Sequence, residues 1–386
     1  MAKILIVAGE ASGDLHGGLL VNELRAARPG LEIFGIGGDR MQAAGMELVY
    51  HVRDFSFMGF AEVLGHLPFI RQAFRRLERI LAERRPDLVV LIDYPGFNLR
   101  LGQMARRAGI KVAYFISPQV WAWGRGRVRK IRRMVDRMLV ILPFEEEFYR
   151  ARGVEAVFVG NPLVDTARPS LTGAQFCQQH GLSAAQPIVG LLPGSRRQEV
   201  QRILPAMLAA CQLLGQQKPA VQFALGLAPG MDRGLVQEHI SRSGLAVALV
   251  EGQSYDLMAH SRLVLVASGT ATLECGIIGT PMVIIYKTSW PSYLLGRLLV
   301  KVPFIGLVNL VAGKKVVPEF IQHEARPGAI FLMCQMLLAE GRARQATVEE
   351  LSKIKTMLGR LGAAGRAACE ILALVPDGQQ ASHPSG

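Results

Sequence analysis

Five cysteines are scattered through 386 residues, odd in number and never in a CxxC pair. That scarcity argues for a reducing compartment and against a zinc site. HExxH and Asp-x-Asp are also missing, so neither a metal nor a cofactor is expected. Half of the residues are hydrophobic, yet no window reaches the roughly 18 uncharged apolar residues of a membrane span. Residues 302–313, VPFIGLVNLVAG, are too short, and residues 263–286 are interrupted by Glu274. The N-terminus MAKILIVAGEASGD has a lysine before an apolar run, but the run is short and enters a Gly-rich turn. It predicts a first β-strand rather than a signal peptide. Glycines 9, 13 and 17 do not fit G-x-G-x-x-G, and no Gly-Lys-Ser/Thr occurs, which excludes a dinucleotide fingerprint and a P-loop.

Acidic residues are the minority, 31 against 44 Lys and Arg, and the net charge is +13. The excess is clustered. Arg71, Arg75, Arg76, Arg79, Arg84 and Arg85 form one group; Arg125, Arg127, Arg129, Lys130, Arg132, Arg133 and Arg137 form another. Such surfaces favour nucleic acid, anionic lipid or phosphorylated substrates, with a merely solvated helix face as the plainer alternative. Leu67, Ile70, Phe74, Leu77 and Leu81 recur at three and four residues, which predicts one helix face. Just before them, DFSFMGFAEVLGHLPF crowds Phe55, Phe57, Met58, Phe60, Val63 and Leu64 together. These residues are either core or, beside an Arg-rich helix, a region that meets a membrane interface.

Strand and helix patterns alternate along the chain. KILIVAG, LEIFGIGG, LVVLID, KVAYFIS, RMLVILP and AVFVG read as strands, with a helix expected near Leu19–Ala27 after a flexible turn. NPLVDTARPSLTG breaks the rhythm, which restarts with PIVGLLPGS, VQFALGLA, VALVEG, LVLVASG and PMVIIY. Two such series predict an α/β chain with two doubly wound, Rossmann-like domains. The expected boundaries are 1–165, 166–345, a helical segment 346–375 crossing back to the first domain, and a disordered tail 376–386.

Three stretches carry chemistry. PDLVVLIDYPGFN ends an apolar run on Asp93. That carboxylate either caps the next helix or sits in the crevice at the carboxyl ends of parallel strands. VLVASGTATLECG sets Ser268, Gly269 and Thr270 before a helix, with Glu274 one turn on. A helix N-terminus holds phosphate, and Glu274 suits ribose hydroxyls; ordinary capping is the alternative. LLPGSRRQEVQ repeats the design with Gly194, Ser195 and Arg196, whose fork suits a diphosphate. Two such turns without a P-loop point to a nucleotide-sugar donor rather than ATP. VAGEASGDLHGG adds Glu10, Ser12, Asp14 and His16, with a plain surface histidine as the alternative for His16.

In order along the chain, ILIVAGEASGDLHG, GIGGDRM, MGFAEVL, IDYPGFN, ISPQVWAW, LPFEEEFY, FVGNPLVD, LLPGSRRQEV, LVASGTATLE and VNLVAGKKVVPEFIQ resemble the lipid-A-disaccharide synthases. Those are inverting glycosyltransferases with the two-domain B-type fold. The resemblance implies transfer of 2,3-diacylglucosamine from UDP-2,3-diacylglucosamine to 2,3-diacylglucosamine 1-phosphate, giving a β(1→6) disaccharide 1-phosphate and UDP. It implies Asp93 as the essential carboxylate; a base role shared with His16 or Asp14 is the weaker alternative. Arg196, Ser195, Gly194, Ser268, Gly269, Thr270 and Glu274 fall on its UDP-binding motifs, and Asn309 and Gln322 on a later donor motif. Ser12 and Asp14 stand with the substrate-binding residues. The implied setting is the cytoplasmic face of the inner membrane, held peripherally on its anionic surface. Dimers of the family can exchange C-terminal parts, in which case Asn309 would serve a partner's site. Two other readings compete: a UDP-sugar epimerase of the same fold, which needs no lipid-facing surface, and a nucleic-acid binder using Trp121, Trp123 and the arginines after them. No recognised nucleic-acid motif accompanies the second, and nucleic acid is not expected as a partner.

Overall fold

A computed structural model describes residues 2–55, 67–122, 124–300 and 302–376. The expected apolar residues Phe57, Met58, Phe60, Val63 and Leu64, together with Trp123 and the tail from 377, lie outside the described residues. The chain forms two compact units, 1–162 with 360–386, and 163–359.

The first unit is a parallel sheet of β1 (Lys3–Ala8), β2 (Glu32–Gly37), β3 (Glu47–His51), β4 (Leu88–Ile92), β5 (Lys111–Phe115), β6 (Arg137–Val140) and β7 (Ala156–Phe158), in the order β3-β2-β1-β4-β5-β6-β7. Its central strands are apolar on both faces, as a sheet covered by helices on both sides requires. Ile4 and Ile6 of β1 face one core and Leu5 and Val7 the other. The second unit is a parallel sheet of β8 (Ile188–Leu192), β9 (Gln222–Leu227), β10 (Val247–Glu251), β11 (Leu263–Ala267), β12 (Met282–Tyr286) and β13 (Glu319–Ile321), in the order β10-β9-β8-β11-β12-β13. The expected α/β class with two doubly wound domains is what the molecule has.

Three details differ from the expectations. The helix expected near Leu19 starts at Ala11 and runs to Ala27, so VAGEASGDLHGG is not a flexible turn. Its glycines are packing contacts: a Cβ on Gly13 would lie 3.2 Å from the Ala8 Cβ, and one on Gly17 would lie 2.5 Å from the Met41 sulfur. The helix Arg342–Met357 buries Leu351 and Ile354 in the second unit, so the chain returns to the first unit at Arg360. The helix Leu67–Glu83 keeps the expected amphipathic face, with Ala73, Phe74, Leu77 and Leu81 buried and Arg71, Arg75, Arg76 and Arg79 exposed. Phe55 is buried as well, and Phe69 packs against it with ring centroids 5.3 Å apart. Phe55 and Phe74 are therefore core, which removes them from any membrane-contacting surface, while Phe69 is partly buried against that core.

The returning helix Ala363–Leu372 packs on the helix Ala11–Ala27, with Ala367, Ala368 and Ile371 in one core with Ile4, Ile6, Leu20 and Leu24. Arg366 Nε donates to the Val159 carbonyl at 2.7 Å, Lys111 Nζ to the Leu374 carbonyl at 3.1 Å, and Arg137 pairs with Glu370. Ile371→Ala empties a fully buried site. Such truncations cost about 2–5 kcal/mol. The urea midpoint of the first unit should fall accordingly, followed by far-UV circular dichroism, while the second unit's transition stays put; an unchanged first transition would show that the returning helix is dispensable.

Candidate active site

In each sheet the strand order reverses once, between β1 and β4 in the first unit and between β8 and β11 in the second. At such a point, connections leave toward opposite faces and open a crevice at the carboxyl ends of the strands, the usual ligand site of open α/β sheets. The segments following β1 and β4 are Gly9–Gly17 and Asp93–Asn98. Those following β8 and β11 are Pro193–Arg197 and Ser268–Thr270. Every chemistry-bearing turn of the sequence thus flanks a reversal, while Asn309 and Gln322 lie on later segments of the second unit.

In the first unit, Asp93 and Tyr94 leave β4 with φ of 45° and 46°. Non-glycine residues rarely adopt this left-handed region, though Asp tolerates it better than most. Side chains hold the turn in place. Asn98 Nδ2 donates to the carbonyls of Ile92 and Asp93 at 3.1 and 2.8 Å, and Tyr114 donates its hydroxyl to the Asp93 carbonyl at 2.6 Å. Gly9 makes room for the Tyr94 ring, which a Cβ would strike at 2.0 Å. Asp93 does not cap the next helix, Pro95–Arg107; its N-cap residue is Tyr94, and no side-chain cap bond forms. Burial, with the neighbouring Glu10 charge, pushes the Asp93 carboxyl up to about 6. A carboxylate poised there is a competent proton acceptor near neutral pH.

His16 is largely buried, which lowers it to about 4, so its imidazole is neutral at physiological pH. Its Nδ1 meets no hydrogen-bond partner among the described residues. Ser12 is exposed on the same helix. Asp14 is fully committed elsewhere: it accepts the backbone N–H groups of Gly38, Arg40 and Met41 at 2.6, 3.1 and 3.1 Å, anchoring the start of the helix Asp39–Ala43. That geometry makes it a structural anchor.

In the second unit, Gly269 takes φ of 156°, a conformation that other residues rarely adopt, with open space where a Cβ would stand. Thr270 opens the helix Ala271–Ile278 without a side-chain cap bond, so the first N–H groups of that helix are not covered by its side chain. Ser268 is held by its hydroxyl donating to the Ile305 carbonyl at 2.8 Å. The Glu274 carboxylate accepts the Tyr255 hydroxyl at 3.0 Å, and burial raises its pKa. At the other turn, Gly194 takes φ of 110°. The Glu199 carboxylate accepts the N–H of Ser195 and Arg196 at 3.3 and 3.4 Å and the Arg196 guanidinium at 2.9 Å. An acidic group thus already sits where an anion would be met by this turn and its arginine.

Asn309 and Gln322 behave differently. The fully buried Asn309 amide bonds the backbone of Val316 and Val317 and the Glu319 carboxylate, at 2.8–3.0 Å. Gln322 clamps Thr288 through its N–H and C=O at 2.9 and 2.7 Å. Both shape the segments after β12 from within. Glu145 was not singled out in the sequence. It is buried, raised to about 7 by that burial, and accepts bonds from Ser117, Trp121 and the Leu142 N–H at 2.7, 2.9 and 3.0 Å. It fixes the loop after β5, where Ile116 has φ of 62°. The signal was there: ISPQVWAW and LPFEEEFY each bring one half of this cluster. Among the described residues, no group of three His, Cys, Asp or Glu side chains is placed to hold a metal ion.

Residues 4–369 match the family model described as lipid-A-disaccharide synthetase. A lipid-A-disaccharide synthase from Myxococcus xanthus (strain DK1622) is 45% identical over 377 residues, covering 98% of each chain. The fold resembles a UDP-GlcNAc 2-epimerase from Neisseria meningitidis bound to UDP-GlcNAc (TM-score 0.64, 14% identity, 96% of this chain and 98% of that one). It also resembles the glycotransferase of kitacinnamycin (TM-score 0.63, 17% identity, 97% and 99% covered). At these identities the structural likenesses speak for the fold alone.

The raised Asp93 carboxyl has a consequence for stability. A carboxyl raised on folding contributes stability that is present below its ordinary value near 3.8 and is lost as pH rises through about 6. Asn has no charge to lose and also tolerates the left-handed turn. Asp93→Asn should therefore melt above the wild type at pH 8, with the difference closing by pH 4, in calorimetric scans. Equal melting at both values would mean that the carboxylate carries no burial cost.

Proposed function

The chain belongs to the lipid-A-disaccharide synthase family and is a glycosyltransferase of lipid A biosynthesis; from that premise we propose the substrates, the residues and the setting of its reaction. The donor is UDP-2,3-diacylglucosamine and the acceptor 2,3-diacylglucosamine 1-phosphate. The epimerase and nucleic-acid readings are not favoured, since the family match runs nearly the full length of the chain. Asp93 is the base. It takes the proton of the acceptor's 6-hydroxyl as that oxygen attacks the anomeric carbon of the donor, the C–O bond to UDP breaks, and the configuration inverts. The observation that carries this assignment is the Asp93 turn itself: a buried carboxylate, raised to about 6, on a left-handed turn at a sheet's reversal point. Neutral His16 shares the base role.

The departing UDP gains charge as the bond breaks. Arg196, the Gly194–Ser195 turn and the N–H groups following Gly269 meet it, preorganised donors being worth most where charge develops. Glu274 receives the ribose hydroxyls. Asn309 and Gln322 support this donor site by shaping the segments beside it. The enzyme works peripherally on the cytoplasmic face of the inner membrane, a setting supported by its lipid substrates, by the exposed arginines of the helix Leu67–Glu83 and by the lack of a spanning helix among the described residues. A homodimer is its assembly, which light scattering tests; the segment from Arg360 packs on the first unit of its own chain.

A thin-layer assay with radiolabelled acceptor and acylated UDP-glucosamine tests the reaction. Asp93→Asn should keep the fold and UDP affinity while kcat falls about 10²–10⁴-fold, the usual contribution of a general base. The acid limb of the wild-type kcat/KM profile should fall near pH 6, the value for Asp93, because only the ionised carboxylate accepts the proton. Near-normal turnover in Asp93→Asn would remove it from the chemistry.

UDP titration by calorimetry tests the donor half. Arg196→Ala loses a charge-assisted contact worth roughly 1.5–3 kcal/mol, so affinity should fall at least about tenfold, and Glu274→Ala should weaken binding in the same direction. Unchanged affinity in Arg196→Ala would exclude that side chain from the diphosphate.

A further inference from the structure

We propose that the helix Trp290–Leu299, with Val300, is a second membrane-docking element, lying in the plane of an anionic bilayer with its leucines and Trp290 in the acyl boundary.

The helix has no buried residue. Trp290 is 59% exposed, Leu294 58%, Leu295 57%, Leu298 76% and Leu299 57%. Scattered exposed leucines need no explanation, but five large apolar residues on ten of helix form a continuous patch, and such a patch marks an interaction surface. At ten residues the helix is about 15 Å long, half of a bilayer's hydrocarbon core of about 30 Å. It can lie in the interface but cannot cross. Its composition fits that place. Trp290 and Tyr293 stand edge to face, 5.7 Å between centroids, and aromatic rings with one polar edge prefer the headgroup level.

Charge chooses the occupant. From 275 to 318 the sequence contains no Asp or Glu, while Lys287 precedes the helix and Arg297 lies on it. Arg297 is exposed and directs Nη1 to the Tyr293 hydroxyl at 3.3 Å. A two-fold-related second copy would bring the same cations face to face with no acid in the segment to pair them. Anionic headgroups supply the missing charge, each basic residue near such a surface contributing attraction while its stem lies along the apolar face. The helix follows β12, in the same unit as the donor turns.

This inference deepens the membrane setting proposed above and rests on it for its purpose, but the test contains neither donor nor acceptor. Failure of the transferase assay would leave it standing, and the reverse also holds. Wild-type protein and the variant L294S/L298S/L299S are sedimented with vesicles of phosphatidylglycerol and phosphatidylethanolamine. Because all three leucines are more than half exposed, the variant should keep the wild-type melting curve. Its partition coefficient should be lower at least about tenfold, as expected when buried apolar area drives the binding. In the wild type, brominated lipid should quench part of the tryptophan emission, and Trp290→Phe should abolish that quenching. Equal partition of variant and wild type, or quenching unaffected by Trp290→Phe, overturns the proposal. So does an absence of vesicle binding together with self-association that the triple substitution abolishes, which would assign the patch to a second copy.

Discussion

Each unit of the molecule depends on one topological constraint. Right-handed crossovers between parallel strands place helices on one face of the sheet until the order turns round, and only then on the other. The reversal falls between β1 and β4 in one unit and between β8 and β11 in the other. In each unit, the segments that leave those strands border the crevice. The candidate residues need no long loops to bring them together: Asp93 with Glu10 and the start of the helix Ala11–Ala27, and Gly194–Arg196 with Ser268–Thr270, are adjacent because their strands are hydrogen-bonded neighbours. The apolar continuity of those strands is therefore both the stability of each unit and the positioning of its chemistry.

At the first reversal, stability and reactivity oppose one another. A carboxylate that will accept a proton near neutral pH must be raised, and burial beside Glu10 raises it. The same burial is a standing cost to the folded state at that pH. The two consecutive left-handed residues at Asp93 and Tyr94 add to the cost. Asn98 and Tyr114 offset part of it by binding the carbonyl oxygens of the turn rather than the carboxylate, so the backbone is fixed while the reactive group is left unbonded by either of them. This is why IDYPGFN is a motif and not merely an aspartate: Asp93 supplies the raised carboxyl, Pro95 begins the helix, and Asn98 reaches back to hold the turn.

Much of this was legible in the sequence. The five-residue apolar runs of β4, β8 and β11 announce two-sided burial, and the turns that follow them announce where ligands go. What could not be read was the direction in which polar side chains point. Asp14, Asn309 and Gln322 carry the right chemistry for a ligand, but each is bound to backbone, and a residue type does not reveal its partner. The edge strands β3 and β13 were missed for another reason. They are only partly buried, so their composition lacks the apolar continuity that reveals the central strands. Glycine was misread in the segment after β1, where close packing against Ala8 and Met41, rather than freedom of the backbone, crowds a side chain at Gly13 and Gly17. The apolar crowding at Phe55–Phe74 invited a membrane reading, whereas Phe55 and Phe74 lie in the first unit's core with Phe69 packed against it.

The turns proposed to hold the donor follow the same physics. A helix N-terminus with its arginine is unstable without an anion, since the N–H groups, the helix dipole and the guanidinium all favour negative charge. Glu199 supplies it internally, bonded to Ser195, Arg196 and the Arg196 guanidinium. The bonds to the two N–H groups are long, at 3.3 and 3.4 Å, near the limit at which such bonds retain strength. Gly194 leaves no slack, for even a Cβ there would lie 2.5 Å from the Glu199 carboxylate. A diphosphate that takes these donors must displace a carboxylate already in place. Its affinity is then the difference between two anions competing for one turn.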